Sequence, residues 1–201
     1  MTTPADTRAR ILAAAMELFC RKSYHAVGTQ EICEAAGVQK GSMYHFFPSK
    51  LDVALAAVEM FGESVRLEQL SIAEGNLGPA AKLRAIFQLE RGMADRHLGT
   101  YGAVYGCLVG NMAFELATVH EPIRTAITKT YESWAAVVAL ILMELIAAGI
   151  IPPSDPLPTA RTVISYLNGV VLTARVANDP VEITRSAERV WLLLGCRDVP
   201  G

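Results

Sequence analysis

Residues 29 to 50 read TQEICEAAGVQKGSMYHFFPSK, and this stretch decides the fold of the N-terminal part of the chain. It predicts a helix that begins at Thr29, a tight turn at Gly37 and a second short helix. Thr29 suits the N-cap because its hydroxyl can accept a hydrogen bond from a free backbone amide of the first turn. Gly37 can end that helix because glycine tolerates positive φ. Two short helices joined by such a turn predict a helix-turn-helix motif.

The second helix separates an apolar face from a polar one. We expect the following apolar side chains to pack inward: Ile32, Ala36, Val38, Met43 and Phe47. The side chains left facing outward are Gln39, Lys40, Ser42, Tyr44 and His45. They offer an amide, a cation, a hydroxyl, a phenol and an imidazole, the groups that proteins use to hold phosphates and read base edges. We therefore predict that this face binds double-stranded DNA.

The residues around this stretch resemble the DNA-binding domain of the TetR/AcrR family of bacterial transcriptional regulators. The positions that carry the resemblance are Leu18-Phe19, Tyr24, Thr29, Ile32, Ala36-Gly37-Val38, Lys40-Gly41-Ser42, Tyr44-His45, Phe47 and Ser49-Lys50. The sequence departs from the family pattern at Phe46, where a His or Tyr is common, and at Leu51, where Glu is common. The resemblance covers about the first quarter of the chain.

The resemblance implies a role for each outward residue. Base or groove contacts are expected from Gln39, Lys40 and Tyr44. Phosphate contacts are expected from Thr29, Ser42, His45 and Lys50, and Gly41 would let the backbone come close to the DNA. One such helix reads too few base pairs to find an operator, so two copies must be presented one turn of DNA apart, about 34–36 Å. We therefore expect a homodimer on a palindromic operator.

Composition and charge are consistent with a protein that uses one end for DNA. Of the 201 residues 52% are hydrophobic, which is enough for a sizeable core and a further apolar surface. The net charge is −2, which excludes a generally basic coat. Residues 1 to 50 carry six lysine or arginine residues against four acidic ones, so this part is +2 and the rest is −4.

Periodicity along the chain predicts an all-α fold of about nine helices. An N-terminal helix, capped by Thr3, and the two helices above would form a DNA-binding domain over residues 1–50; residues 51–201 would form a helical ligand-binding and dimerisation domain. Ser49 followed by Asp52 is typical of a capping box that opens a helix to about Ile72. The later helices are expected at about 79–91, 107–118, 121–149, 159–176 and from 181 onward, with irregular segments at 96–106 and 152–158.

Two late helices, around residues 134–146 and 163–174, have apolar faces that are wide enough for a dimer contact. Paired across a two-fold axis they would form a four-helix bundle. The stretch from Trp134 to Ile151 is also about as long as a membrane span. Glu144 within it and the two prolines after it favour a buried or dimer-facing helix, with no membrane contact.

A ligand site is predicted in the body from aromatic and flexible apolar residues. The candidates are Phe61, Val65, Phe87, Met93, Tyr101, Tyr105, Cys107, Met112 and Trp134. Such a set would suit a small, largely apolar effector. Cys107 lies at a helix start, where the helix dipole can lower a thiol pKa, so a reactive thiol is the alternative to a buried apolar side chain.

Other chemistry is not indicated. The four cysteines have no metal-ligand spacing, so neither a zinc site, a disulfide framework nor a cofactor is predicted. The N-terminus does not read as a secretory leader, and we expect a bacterial cytoplasmic protein. Glu115, Glu144 and Asp155 have no catalytic partners at recognisable spacing, which disfavours an enzyme, and the polar face around Lys40 disfavours a pure protein-interaction module.

The sequence thus favours a dimeric, ligand-responsive transcriptional repressor. The alternative is a repressor that senses oxidants or electrophiles through covalent change at Cys107.

Overall fold

A computed structural model describes residues 4 to 196, which form ten helices and no strand. The helices are α1 Pro4–Arg21, α2 Thr29–Ala36, α3 Lys40–Phe46, α4 Lys50–Glu74, α5 Pro79–Tyr101, α6 Leu108–Leu116, α7 Glu121–Ala147, α8 Pro156–Ala177, α9 Val181–Ala187 and α10 Val190–Leu193. The last is a single turn of four residues. The predicted all-α class and its count of about nine helices are confirmed.

The helix starts show which sequence signals operate. Ser49 and Asp52 form the predicted capping bond: the Asp52 amide donates to Ser49 Oγ at 3.2 Å, and the Ser49 hydroxyl donates to Asp52 Oδ2 at 2.7 Å. The predicted cap at Thr29 is wrong, since Gly28 is the N-cap of α2 and Thr29 is its first residue. Gly28 has extended φ and ψ and gives no side-chain cap, and Thr29 is half-buried. The predicted cap at Thr3 lies outside the described residues.

Three boundaries differ from the sequence prediction. The segment predicted to be irregular after Arg91 is helical, and α5 continues to Tyr101. Gly102 ends it in the left-handed region, with φ of 73°, whereas Gly92 and Gly99 remain inside the helix. Helix α8 begins at Pro156, because proline fits the first turn and Asp155 caps it by accepting from the Leu157 amide at 3.3 Å.

The third difference concerns the end of the chain, where one predicted helix is two. Helix α9 ends at Ala187 and α10 begins at Val190. The Asp179 carboxylate accepts from the Val181 amide at 2.9 Å, as expected of a capping residue.

The chain divides into two compact units. The first extends to Glu63 and includes Cys107–Thr130; the second comprises Ser64–Gly106 and continues from Tyr131. Helices α4 and α7 each contribute to both units. The predicted domain boundary after residue 50 falls inside the first unit. The division of the chain into a DNA-binding domain and a ligand-binding and dimerisation domain stays a prediction.

The core of the first unit is built by α1, α2, α3 and α6. Helix α1 packs against both α2 and α6, and its inward face carries Ile11, Ala15 and Phe19, all fully buried. Below the turn the Cys33 thiol lies 3.7 Å from Met43 Sδ, so the two helices of the motif share one apolar centre. Gly62 of α4 packs against Thr130 of α7, and a Cβ at Gly62 would lie 2.6 Å from a Thr130 methyl group.

The second unit joins α5 to α8 and α9. Phe87 and Tyr166 lie with ring centroids 6.2 Å apart, and the Tyr166 hydroxyl donates to the Ser186 carbonyl at 2.9 Å. Lys82 is buried, and its Nζ donates to both carboxylate oxygens of Glu144 at 2.8 Å. Glu144 is therefore the partially exposed ion-pair partner of a buried lysine.

Helix α7 is the one helix among residues 4–196 that is long and apolar enough to cross a membrane by length and composition. Half of its most apolar stretch is buried within the protein, and a core helix passes the same test.

Glu90 generates a prediction for stability. Burial, and secondarily repulsion from Glu68, raise the pKa of its carboxyl from 4.5 to about 7. Between about pH 4.5 and pH 7 the Glu90 carboxyl therefore keeps its proton in the folded state and loses it in the unfolded state. The free energy of unfolding falls as pH rises through this range. In Glu90→Gln this fall should disappear, and the variant should gain up to about 3 kcal/mol over the parent at pH 8.

Urea titrations at pH 5 and pH 8 would check this, with the exposed Glu74→Gln as the matched control. Equal stability of Glu90→Gln and the parent at pH 8 would contradict the expected destabilisation by the buried carboxylate.

Candidate nucleic-acid interface

The turn between α2 and α3 is fixed by an arginine from α1. Arg10 Nη2 donates to the carbonyl of Ala36 and, at 2.7 Å, to the carbonyl of Gly37. These carbonyls lie at the end of α2, where no further helical amide is available to them. Arg10 therefore ties the first helix directly to the turn that orients α3.

Gly37 supplies the backbone geometry of that turn. Its φ of 61° and ψ of 42° are left-handed, as predicted from the sequence. The Gly37 amide donates to Glu34 at 3.1 Å and the Val38 amide donates to Cys33 at 2.9 Å, which closes the helix end. A Cβ at Gly37 would lie only 2.7 Å from Arg10 Nη2. The positive φ and the close approach of Arg10 therefore both favour glycine at residue 37.

Helix α3 presents the predicted polar face to solvent. Met43 and Phe47 are buried with Ile32 and Ala36, as expected, whereas Val38 is half-buried. Gln39, Lys40, Gly41 and His45 are exposed, Tyr44 is 43% exposed and Ser42 is half-buried. The Lys40 ammonium lies 5.9 Å from the centroid of the Tyr44 ring. These side chains are brought together on one accessible surface.

An open groove of about 520 Å³ runs beside this face. Its lining comes from the start of α1 and from α3: Pro4, Thr7, Gln39, Gly41, Ser42, His45 and Phe46. The first turns of both helices offer backbone amides and the positive end of the helix dipole, which suits phosphate. A Cβ at Gly41 would meet nothing within 4 Å, so the surface at Gly41 is free for close approach. Phe46 lines the groove and stacks edge-on against His45, with centroids 5.0 Å apart.

Lys50 has partners that the sequence did not reveal. Its Nζ donates to the carbonyls of Tyr24 and Val27 at 3.0 and 2.9 Å and lies 4.2 Å from the centroid of the Tyr24 ring. The side chain thereby joins the start of α4 to the segment between α1 and α2. Its predicted phosphate contact stays a prediction and would depend on the one remaining N–H.

Internal contacts also engage other cations of the first fifty residues. Lys22 pairs with Glu31, and Arg21 pairs with Glu17 at 3.0 Å. Arg10 is engaged at the turn. These contacts leave the net charge of residues 1 to 50 at +2, and Lys40 is the cation that α3 itself offers to a ligand.

The predicted effector residues divide between the two units. The first unit contains Phe61, Cys107 and Met112; the second contains Val65, Phe87, Met93, Tyr101, Tyr105 and Trp134. Within the second unit Tyr101 and Tyr105 are in ring contact with each other, at 5.9 Å. Phe87 pairs instead with Tyr166, and Trp134 with Tyr131. Their role in binding a ligand stays a prediction.

His97, which falls in the segment predicted to be irregular, lies on α5 and packs against both tyrosines. Its ring centroid is 6.5 Å from Tyr101 and 5.8 Å from Tyr105. Burial lowers its pKa, with Arg96 adding a smaller effect. The error followed from the wrong end assigned to α5.

Asn178 was also missed. It is left-handed, with φ of 51°, and its side chain accepts from the Val104 amide at 2.8 Å and donates to the Gly102 carbonyl at 3.3 Å. The Asn-Asp-Pro run at residues 178–180 was the available signal, because asparagine is the residue after glycine that best tolerates this conformation.

These features define a helix-turn-helix DNA-binding regulator. The family model described as "Bacterial regulatory proteins, tetR family" matches residues 11–62, and "Tetracyclin repressor-like, C-terminal domain" matches residues 79–190. The chain belongs to the TetR family of bacterial regulatory proteins, and it is a transcriptional regulator.

Known relatives agree with this assignment. The transcriptional regulator AcuR of Cereibacter sphaeroides is 32% identical over 172 residues, which is 85% of this chain and 77% of AcuR. A TetR regulatory protein from Rhodobacter sphaeroides has a TM-score of 0.79 at 30% identity, covering 91% of this chain and 95% of that one. The repressor NemR of Escherichia coli is 29% identical over 130 residues, 63% of this chain and 62% of NemR. Its reduced form superposes with a TM-score of 0.81 at 21% identity, covering 97% of this chain and all of that one.

The two roles of Lys50 can be separated by Lys50→Met. Because two backbone carbonyls lose their donor, we expect stability to fall by about 1–3 kcal/mol, measured by urea denaturation. Operator binding should weaken without a change in its salt dependence. A slope of log affinity against log salt that decreases by about one would instead assign a phosphate contact to Lys50.

Two glycine variants separate the turn from the DNA-facing surface. Gly37→Ala should lose about 1–2 kcal/mol of stability because alanine is strained at this φ and displaces Arg10. Gly41→Ala should keep or slightly raise stability, since it removes a helix-interior glycine in open space. Thermal denaturation measures both, and anisotropy with operator DNA should show lost affinity for Gly41→Ala. Unchanged affinity there would argue against close backbone approach at residue 41.

Proposed function

We propose that the protein is a ligand-responsive repressor that binds a palindromic operator as a homodimer. The observation that carries the proposal is the exposed polar face of α3, set on a turn fixed by Gly37 and Arg10. In this reading Gln39, Lys40 and Tyr44 contact the groove, while Thr29, Ser42 and His45 hold phosphates. Neighbouring regulators such as NemR are named repressors, which supports repression over activation.

Dimerisation is proposed through α7 and α8. The residues that mark the predicted segments, Trp134 and Val163, are buried in the core of the second unit. The same two helices expose Leu140, Met143 and Leu172, each about half accessible to solvent. Exposed apolar side chains of this size favour a partner surface, and TetR-family regulators bind operators as dimers.

Release of DNA is proposed to follow effector binding in the body. Helix α4 is continuous from Lys50 to Glu74, so it joins the first unit, which carries α3, to the second. A ligand that changes the position of α4 would change the distance between the two reading helices of the dimer. Loss of one half-site's contacts would cost several kcal/mol of specific affinity. We propose a bacterial cytoplasmic location, because the proposed function is exerted on DNA.

A thiol trigger at Cys107 is the second candidate. Cys107 is the N-cap of α6, where the helix dipole favours a thiolate. It is also buried, which opposes reaction with a large oxidant. The relative NemR has been solved in a form named as reduced, and this supports keeping redox sensing as an alternative.

Operator binding by the reading face is tested with Lys40→Ala and Tyr44→Ala. We expect at least a tenfold loss of specific affinity for each, because both remove an outward contact, with a melting temperature unchanged within about 2 °C. Fluorescence anisotropy on DNA upstream of the gene, with excess random competitor, measures the affinity. Lys129→Ala removes an exposed cation from α7 and serves as the matched control. Parental affinity in both α3 variants would refute recognition by this face.

The thiol alternative is tested with Cys107→Ser. A reversible ligand sensor should keep its effector response in this variant, whereas operator release by N-ethylmaleimide or hydrogen peroxide should be lost if Cys107 is the trigger. Measuring both responses on the same operator complex distinguishes the two mechanisms. Equal release of parent and variant by both reagents would exclude Cys107 as the sensor.

A further inference from the structure

An exposed arginine of α1 lies beside the groove of the DNA-facing surface. Thr7 and Arg8 come three and four residues after Pro4, so the three residues share one side of the helix. Pro4 and Thr7 line the groove together with residues of α3. One turn further along α1, the same side is fully buried at Ile11. Arg8 therefore lies where the inward side of α1 opens to solvent, next to α3.

The guanidinium of Arg8 reaches the C-terminal end of α3. It lies over the ring of Phe47, with Cζ 5.2 Å from the ring centroid. Phe47 is the C-cap of α3 and is buried, and it directly follows Phe46, which lines the groove. A cation over an aromatic face is attracted by the charge distribution of the ring, which limits the positions that the side chain adopts. The buried ring therefore holds the Arg8 guanidinium at the border of the groove.

Arg8 differs from other cations that contact rings because its side chain has no acceptor. Lys50 also lies over a ring, but it donates to two backbone carbonyls, and Arg84 pairs with Glu188 at 3.3 Å. Among residues 4–196 no carboxylate or carbonyl receives a hydrogen bond from the Arg8 side chain. Lys40 on the predicted DNA-binding face is in the same state, with a ring contact alone. Arg8 thus has its charge and its N–H donors available to a ligand.

The surroundings of Arg8 suit a phosphate of the DNA backbone. The groove offers the hydroxyls of Thr7 and Ser42 and the imidazole of His45, and none of its described lining residues is acidic. Asp6, two residues before Arg8, does not face it, because residues at this spacing lie on different sides of a helix. A planar guanidinium can donate two hydrogen bonds to the oxygens of one phosphate. Its position on α1, outside the reading helix, favours the backbone over base edges.

We propose that Arg8 is a further phosphate contact of the DNA-binding face, positioned by the ring of Phe47. The inference rests on the proposed function, since it adds a residue to the same interface. It gives that interface a second cation beside Lys40, so that α1 and α3 each contribute one. A homodimer would present two copies of Arg8, one at each half-site.

The test compares the full-length parent with Arg8→Met by fluorescence anisotropy. Methionine keeps an unbranched apolar side chain against Phe47 and removes the charge. Each protein is titrated into the operator duplex and into a random-sequence duplex of equal length, at salt concentrations from about 50 to 200 mM. A phosphate contact is independent of sequence, so we expect Arg8→Met to bind both duplexes about tenfold more weakly at the lowest salt. The slope of log affinity against log salt should decrease by about one for each Arg8 that contacts a phosphate.

Two further variants separate a specific contact from a general effect of charge. Arg189→Met removes an exposed arginine of the second unit that has no ion pair among the described residues. It changes the net charge by the same amount and should leave both affinity and slope unchanged. Arg8→Lys keeps the charge and loses the planar fork, so it should keep the slope and lose part of the affinity. Both Arg8 variants should melt within about 2 °C of the parent, because the side chain is exposed.

The possible results separate the Arg8 contact from operator recognition. An unchanged slope in Arg8→Met, or an equal loss in Arg189→Met, would overturn the proposal. A loss confined to the operator would assign Arg8 to a base edge and would also overturn it. A reduced slope on both duplexes supports the phosphate contact. If the parent does not prefer the operator, a reduced slope on the random duplex still supports Arg8 while refuting specific recognition, and a parent that binds neither duplex refutes both.

Discussion

The double hydrogen bond from Arg10 to the carbonyls of Ala36 and Gly37 fixes the orientation of α3, and recognition of DNA depends on that orientation. Without it the last carbonyls of α2 would turn to water and the turn would be held by its backbone alone. The bond also restricts residue 37, because a side chain there would collide with the guanidinium. The two residues therefore depend on each other. Gly37 leaves room for the Arg10 guanidinium, and Arg10 connects the turn at Gly37 to α1.

Several cationic side chains of the first unit make contacts within the protein. Lys50 holds two carbonyls and a tyrosine ring, and Lys22 pairs with Glu31. The Lys22–Glu31 pair is worth little to stability, and the carboxylate offsets the attraction of Lys22 for DNA, whereas Lys50 keeps its full charge. The exposed face of α3 itself carries one lysine, Lys40, beside neutral side chains such as Gln39 and Tyr44. A protein with a net charge of −2 has little general attraction for DNA, so its binding must come from specific contacts of this surface.

The sequence predicted the fold well where a local signal had only one physical interpretation. Gly37 in a left-handed turn and the Ser49–Asp52 cap are of this kind, because few residues can fill those roles. The outward face of α3 followed from periodicity, and the structure exposes the same residues apart from Ser42, which is half-buried. Prediction failed where a residue permits two outcomes. The helix predicted to end at about residue 91 continues through Gly92 and Gly99, and Gly102 ends it.

Long-range partners could not be read from the sequence. A lysine next to a serine cap looks like a phosphate ligand, and nothing local indicates that Tyr24 and Val27 will present their carbonyls to it. The buried, unpartnered Oε1 of Gln69 was equally hidden, since helical periodicity places Gln69 on an inward face without indicating what surrounds it. The candidate DNA face was therefore accessible to sequence reasoning, whereas the chemistry of the interior required coordinates.

Glu90 links stability to pH in a way that apolar residues of the same core do not. A fully apolar interior would be more stable above neutral pH, since the buried carboxylate opposes folding there. The penalty is absent while the carboxyl keeps its proton, so this one group lowers the free energy of unfolding as pH rises from about 4.5 through about 7.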